Sequence, residues 1–90
     1  MKLYYIAVYD IASPKRLPKV LKIFRRYLFW IQNSSFEGEL NETQFLSLKR
    51  DLKTVIKKDQ DSILFFWAEN KKFISRQTMG FEKNEVTNFL

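Results

Sequence analysis

Four β-rich segments interleaved with two segments of helical period predict an α+β fold, a ferredoxin-like βαββαβ sheet with both helices on one face. Three observations carry this. The strand-like runs are rich in Tyr, Ile, Val, Phe and Trp, and the runs between them repeat their apolar residues at helical spacing. The chain has 90 residues, enough for one domain and one core. Hydrophobic residues make up 46% and aromatic residues 17%, so the chain can collapse around a core.

The first strand is Lys2–Asp10, which has no breaker. Tyr4, Ile6, Val8 and Asp10 share one face; Leu3, Tyr5, Ala7 and Tyr9 share the other. Both faces are largely apolar, so both are expected to be covered. Ser13-Pro14 reads as the start of the first helix, with Ser as N-cap and Pro at the first helical position. Leu17, Val20, Leu21, Phe24 and Leu28 form its buried stripe, and Pro18 falls near the first turn, where a missing N–H costs little. Phe29–Gln32 reads as a second strand, Asn33-Ser34-Ser35 as a turn, and Phe36–Leu40 as a short third strand interrupted by Gly38.

Asn41-Glu42-Thr43-Gln44 has the capping-box spacing of a helix start. Phe45, Leu48, Leu52, Val55 and Ile56 supply the second apolar stripe. Asp59–Asp61 is a polar break, and Ser62–Trp67 is a fourth strand, apolar on both faces. The core therefore spans about residues 2–68, followed by a tail over 69–90. Within the tail, Phe73–Met79 has the pattern of an extra C-terminal strand on a sheet edge, its own or a partner's, ended by Gly80. Two helices leave one apolar sheet face bare, and a chain this small buries only about 60% of its unfolded surface. A homodimer packed sheet to sheet is expected.

The 16 Lys and Arg residues outweigh 10 Asp and Glu, a net charge of +6, which suits a nucleic-acid partner or an acidic membrane surface. No cysteine and no histidine are present, which removes disulfides, thiolate metal sites and His general-base chemistry. No Walker loop, GxGxxG or GxSxG occurs, and Ser34 and Ser35 have no visible base to activate them. The N-terminus lacks signal-peptide character and no apolar run is long enough for a membrane span. A cytoplasmic protein without membrane contact is expected.

Asp10 ends an apolar strand just before a basic helix. Two readings are open: it caps the following turn, or it pairs with a second Asp10 across a two-fold axis to hold Mg²⁺ or Mn²⁺ and activate water. Lys15, Arg16, Lys19, Lys22, Arg25 and Arg26 form a basic series with no intervening acid. It is either a phosphate-binding face or a solvated one, and Lys49, Arg50, Lys53, Lys57 and Lys58 admit the same two readings. The aromatic residues fall mostly on core-facing periods, which favours packing over base stacking.

Val8-Tyr9-Asp10-Ile11, Lys15-Arg16, then Gln32-Asn33-Ser34-Ser35-Phe36-Glu37-Gly38-Glu39-Leu40 and Asp61-Ser62-Ile63 occur in that order. In this the chain resembles the small CRISPR-associated protein of the spacer-acquisition machinery, the second of the two nearly universal Cas proteins. The likeness covers about residues 3–67, with a fainter echo at Gly80, and the Gln-x-Ser-x-Phe-Glu-Gly segment is its most specific part. The resemblance implies a ferredoxin-like homodimer whose C-terminal strands cross to the partner. It implies either a Mg²⁺-dependent endonuclease on RNA or DNA, or a dimeric scaffold that holds prespacer duplex DNA for a CRISPR integrase. It makes Asp10 the metal ligand, one from each subunit, and places Tyr9, Arg16 and Phe36 at positions linked to nuclease activity in some relatives. Where many members carry polar or acidic residues after Tyr-Asp-Ile, this chain has Ala12-Ser13-Pro14. A toxin-type ribonuclease or a ligand-sensing module of the same fold is the remaining alternative; a sensing module needs neither the basic helix nor Asp10 at the strand end.

Overall fold

A computed structural model describes residues 1–81. Strand β1 (Lys2–Asp10) is followed by helix α1 (Leu17–Tyr27), strands β2 (Phe29–Gln32) and β3 (Ser35–Asn41), helix α2 (Glu42–Lys53) and strand β4 (Ser62–Ala68). A single 3₁₀ turn, Lys71–Phe73, comes next. The sheet has the order β2-β3-β1-β4 and every neighbouring pair is antiparallel, which is the ferredoxin-like arrangement expected from the element order.

Alternation along β1 decides which side becomes the core. Tyr5, Ala7 and Tyr9 face the helices, joined by Phe36 and Leu40 from β3, by Val20, Ile23, Phe24 and Leu28 from the first helical segment, and by Leu48 and Leu52 from α2. In register, Ala7 lies opposite Phe36 on one side and Phe65 on the other. Ile23 is buried although the expected stripe omitted it, while Leu17 and Leu21 are only partly covered.

The start of α1 differs from expectation. Ser13 Oγ accepts from the Lys15 N–H, and the Ser13 carbonyl accepts from the N–H groups of Arg16 and Leu17. Ser13-Pro14 therefore builds a separate turn, and the helix begins at Leu17 with Arg16 at the N-cap position, its side chain not capping the helix. Pro18 still falls inside the first turn, where its missing N–H has no partner to lose. The capping box of α2 is present as read: Asn41 Oδ1 accepts from the Gln44 N–H at 2.7 Å, and Gln44 Oε1 accepts from the Asn41 N–H at 2.8 Å. The α-helix stops at Lys53, so Val55 and Ile56 pack against the core from beyond its end, their N–H groups bonded to the Leu52 carbonyl.

Gly38 does not interrupt β3, which runs unbroken and pairs Gly38 with Tyr5. Its role is steric: a Cβ here would sit 3.0 Å from Cδ2 of Leu28, the C-cap residue of α1. The β2–β3 turn puts Asn33 at φ 43°, a left-handed conformation that Asn tolerates. The Asn33 carbonyl accepts from Tyr9 Oη and Trp30 Nε1, each at 3.1 Å.

The face away from the helices is apolar and largely open. Val8, Leu64, Phe66 and Phe29 are 39%, 54%, 51% and 40% exposed. At one place this face carries a buried polar group: Glu37 accepts from Tyr4 Oη at 2.9 Å and is ion-paired with Arg76. The tail thus returns to the sheet through Arg76, but residues 74–79 form no strand within the chain. The remainder of the expected tail, 82–90, lies outside the described residues.

Candidate metal and nucleic-acid site

Asp10 is the last residue of β1 and is solvent-exposed. By alternation it shares the open face with Val8, and its ladder partner is Ser62. One residue before Ser62 stands Asp61, whose side chain is fully buried. Its carboxylate accepts four hydrogen bonds: from Arg16 Nε at 2.8 Å, Arg16 Nη2 at 2.9 Å, the Ala12 N–H at 2.9 Å and the Lys57 N–H at 2.8 Å. Arg16 Nη2 also donates to Gln60 Oε1 at 3.1 Å.

A planar guanidinium matched to a carboxylate in this two-point way is the strong form of an ion pair. The Arg16 hydrogen bonds, then the Lys57 and Ala12 N–H groups, hold the Asp61 carboxyl well below the usual carboxylate range, against the opposing effect of burial. The same bond raises Arg16 above its ordinary value. The β1–α1 loop and the α2–β4 loop are thereby tied together immediately beside Asp10.

The other expected site residues divide into two groups. Tyr9 and Phe36 belong to the core. Phe36 has no exposed surface and stacks on Phe24 at 5.0 Å between ring centroids; Tyr9 lies 5.6 Å from Phe24 and 6.0 Å from Phe36. Burial raises the Tyr9 phenol, with nearby Arg25 opposing. Neither ring can touch a bound polymer without opening the fold, so a contribution from them to a reaction passes through packing. Arg16 is likewise committed inward, its side chain only 15% exposed.

Lys15, Lys19, Lys22, Arg25 and Arg26, by contrast, are exposed. Along α1, Lys19, Lys22 and Arg26 recur at intervals of three and four and so line one stripe, with Lys15 exposed in the turn before it. Arg26 lies 3.6 Å from Asp51 on α2, and Tyr27 Oη donates to the same carboxylate at 2.7 Å. These cations are solvent-facing, which suits a phosphate backbone.

Among the described residues no group of three or more His, Cys, Asp or Glu could hold a metal ion. One chain contributes one carboxylate at Asp10. That donor fits Mg²⁺, which keeps several waters and is usually held by one or two carboxylates plus phosphate oxygens. An apolar cleft of about 410 Å³, lined by Met1, Leu3, Tyr5, Phe45 and Trp67 among others, lies at the opposite end of β1.

Sequence reasoning placed Asp61 in a polar break and in the resembling Asp61-Ser62-Ile63 segment, but gave it no role in the site. Its position before an apolar strand was visible; its donors from Ala12 and Arg16, which lie 45 or more residues away, were not.

The model of the family described as CRISPR associated protein Cas2 matches residues 1–76. The chain belongs to the Cas2 family. A Cas2 relative from Dictyoglomus turgidum, named a CRISPR-associated endoribonuclease, is 43% identical over 92% of this chain and 94% of its own length. A second, from Thermodesulfovibrio yellowstonii and of the same description, is 42% identical over 97% of this chain and 98% of its own. A Cas2 crystal structure superposes with a TM-score of 0.84 at 38% identity, covering 92% of each chain. The order β2-β3-β1-β4 goes with that membership. No helix among the described residues is long and apolar enough to cross a membrane.

Proposed function

We propose that this Cas2 chain works in the cytoplasm as a homodimeric, metal-dependent endonuclease, cleaving RNA or DNA phosphodiesters during CRISPR spacer acquisition. The observation that carries the reading is Asp10: an exposed carboxylate at a strand end, on a sheet face whose exposed neighbours are Val8, Leu64 and Phe66. Covering that apolar face with a second copy removes it from water and brings a second Asp10 toward the first. Asp10 from each subunit would hold Mg²⁺ or Mn²⁺, an ion that would supply Lewis-acid charge for phosphodiester hydrolysis.

The chain's own residues do the rest. Lys15, Lys19, Lys22 and Arg26 bind the polymer backbone without reading its sequence. Tyr9 and Phe36 hold the β1 end against the core. The endoribonuclease descriptions of the Dictyoglomus and Thermodesulfovibrio relatives support RNA as the first substrate to test. The direct experiment is cleavage of labelled RNA and DNA with and without Mg²⁺ by wild type and Asp10→Asn.

A second reading keeps the dimer and drops the chemistry: a scaffold that grips prespacer duplex DNA for a CRISPR integrase. The single carboxylate per chain, with Ala12-Ser13-Pro14 following it, favours this reading. Tight duplex binding without cleavage under any divalent metal is its signature.

A further inference from the structure

We infer that Asp61 is a positioning residue for Asp10, and that Arg16 serves as the counter-ion holding Asp61 in place instead of contacting nucleic acid. The inference rests on the proposed role of Asp10 as metal ligand. Asp10 is fixed from two directions. On one side its backbone pairs with Ser62 in the β1–β4 ladder. On the other, the chain leaves Asp10, and two residues later the Ala12 N–H donates to Asp61, the neighbour of Ser62 in sequence. These links close a small ring around the Asp10 backbone, from Asp10 through Ile11 and Ala12 to the Asp61 carboxylate and back through Ser62.

A ring of this kind works only if the carboxylate itself cannot swing. Arg16 and the Lys57 N–H prevent that by occupying both oxygens, and Gln60 steadies the guanidinium from outside. Arg16 follows Ala12 closely in the chain, so its bond to Asp61 also closes the β1–α1 loop on itself. A cation spent in this way has Nε and Nη2 committed to Asp61 and its side chain largely covered. The exposed Lys15, Lys19 and Lys22 are the groups that reach a polymer. A ligand carboxylate gains from such support because misplacement by about 1 Å costs on the order of 100-fold in rate.

Four proteins separate these roles: wild type, Asp61→Asn, Arg16→Gln and the double variant, each checked for folding by thermal melting. Three quantities are read: amide hydrogen exchange at Ala12, Mn²⁺ affinity by electron paramagnetic resonance, and kcat and KM on a single-stranded RNA with its salt-dependent affinity. The expected result is faster Ala12 exchange and roughly 10- to 100-fold weaker Mn²⁺ binding and lower kcat in each single variant. The double variant loses no more than either single one, and KM and the salt slope stay unchanged. If Asp61→Asn does not fold, Arg16→Gln, whose side chain lies nearer the surface, carries the same expectations.

Losses that add in the double variant, or a salt slope that falls by about 0.7 in Arg16→Gln, would make Arg16 a phosphate contact and overturn the inference. Wild-type Mn²⁺ affinity in Asp61→Asn also overturns it while leaving the Asp10 reading intact. A wild type that binds Mn²⁺ without cleaving fails the enzymatic reading alone, and the inference then stands or falls on Mn²⁺ affinity and Ala12 exchange. A wild type that neither binds Mn²⁺ nor cleaves removes Asp10 as a ligand and takes both down.

Discussion

Arg16 clasps the buried carboxylate of Asp61 through two nitrogens, Nε at 2.8 Å and Nη2 at 2.9 Å, and so locks the loop that follows Asp10. A pH dependence follows from this contact. Asp61 is held below the ordinary carboxyl value of 3.8, so folding favours its charged form. The stabilisation is complete above the unfolded-state value and is lost as pH falls from about 4 toward the lowered folded value. Thermal melts between pH 6 and pH 2.5 should show a steeper acid loss for wild type than for Asp61→Asn. Parallel curves would mean that the pair contributes nothing to acid stability.

Phe36 acts through the core. Phe36→Ala removes a fully buried ring stacked on Phe24 and should cost about 3–5 kcal/mol in urea unfolding. Phe36→Leu, which keeps most of the volume, should stay folded and retain RNA affinity and cleavage within a few-fold. Loss of activity in a Phe36→Leu protein of near-normal stability would place the ring in contact with substrate.

The exposed stripe sets the electrostatic part of binding. Replacing Lys15, Lys19 and Lys22 together with Ala should lower the slope of log K against log salt by about 2 on single-stranded RNA, at about 0.7 per lost phosphate contact. An unchanged slope would move the footprint to the cations of α2.

The open sheet face should be the dimer contact. Wild type at micromolar concentration should sediment at about twice the 10.9 kDa chain mass. Phe66→Lys, at a residue 51% exposed in the single chain, should sediment at the chain mass with its helix content intact. A wild-type monomer, or a dimer unaffected by Phe66→Lys, contradicts this placement.

The sequence disclosed whatever depends on neighbours close in the chain. The capping box at Asn41 and Gln44 needs only a three-residue spacing, and the two faces of β1 follow from simple alternation. The start of α1 was misread because a Ser-Pro pair looks the same at a turn as at an N-cap; the difference is that Arg16, at the junction, is drawn to a carboxylate 45 residues away. Gly38 looked like a strand breaker because the Leu28 side chain that needs its space arrives from a helix end. Asp61 was legible as one residue of the resembling Asp61-Ser62-Ile63 segment, but not its role, since Ala12 and Arg16 reach it only in the folded sheet and the nearby Lys57 N–H only completes the set. Asp10 was legible as an exposed strand-end acid, and the basic stripe as a period; that Arg16 leaves that stripe was not.

The most direct test of the account is Mg²⁺-dependent cleavage of a labelled single-stranded RNA by wild type and by Asp10→Asn, with affinity measured alongside. Asp10→Asn keeps the shape of the side chain and removes its charge. The account predicts cleavage reduced by roughly 100-fold or more, with RNA affinity unchanged or slightly higher because negative charge leaves a basic surface. Cleavage by Asp10→Asn at the wild-type rate would contradict it.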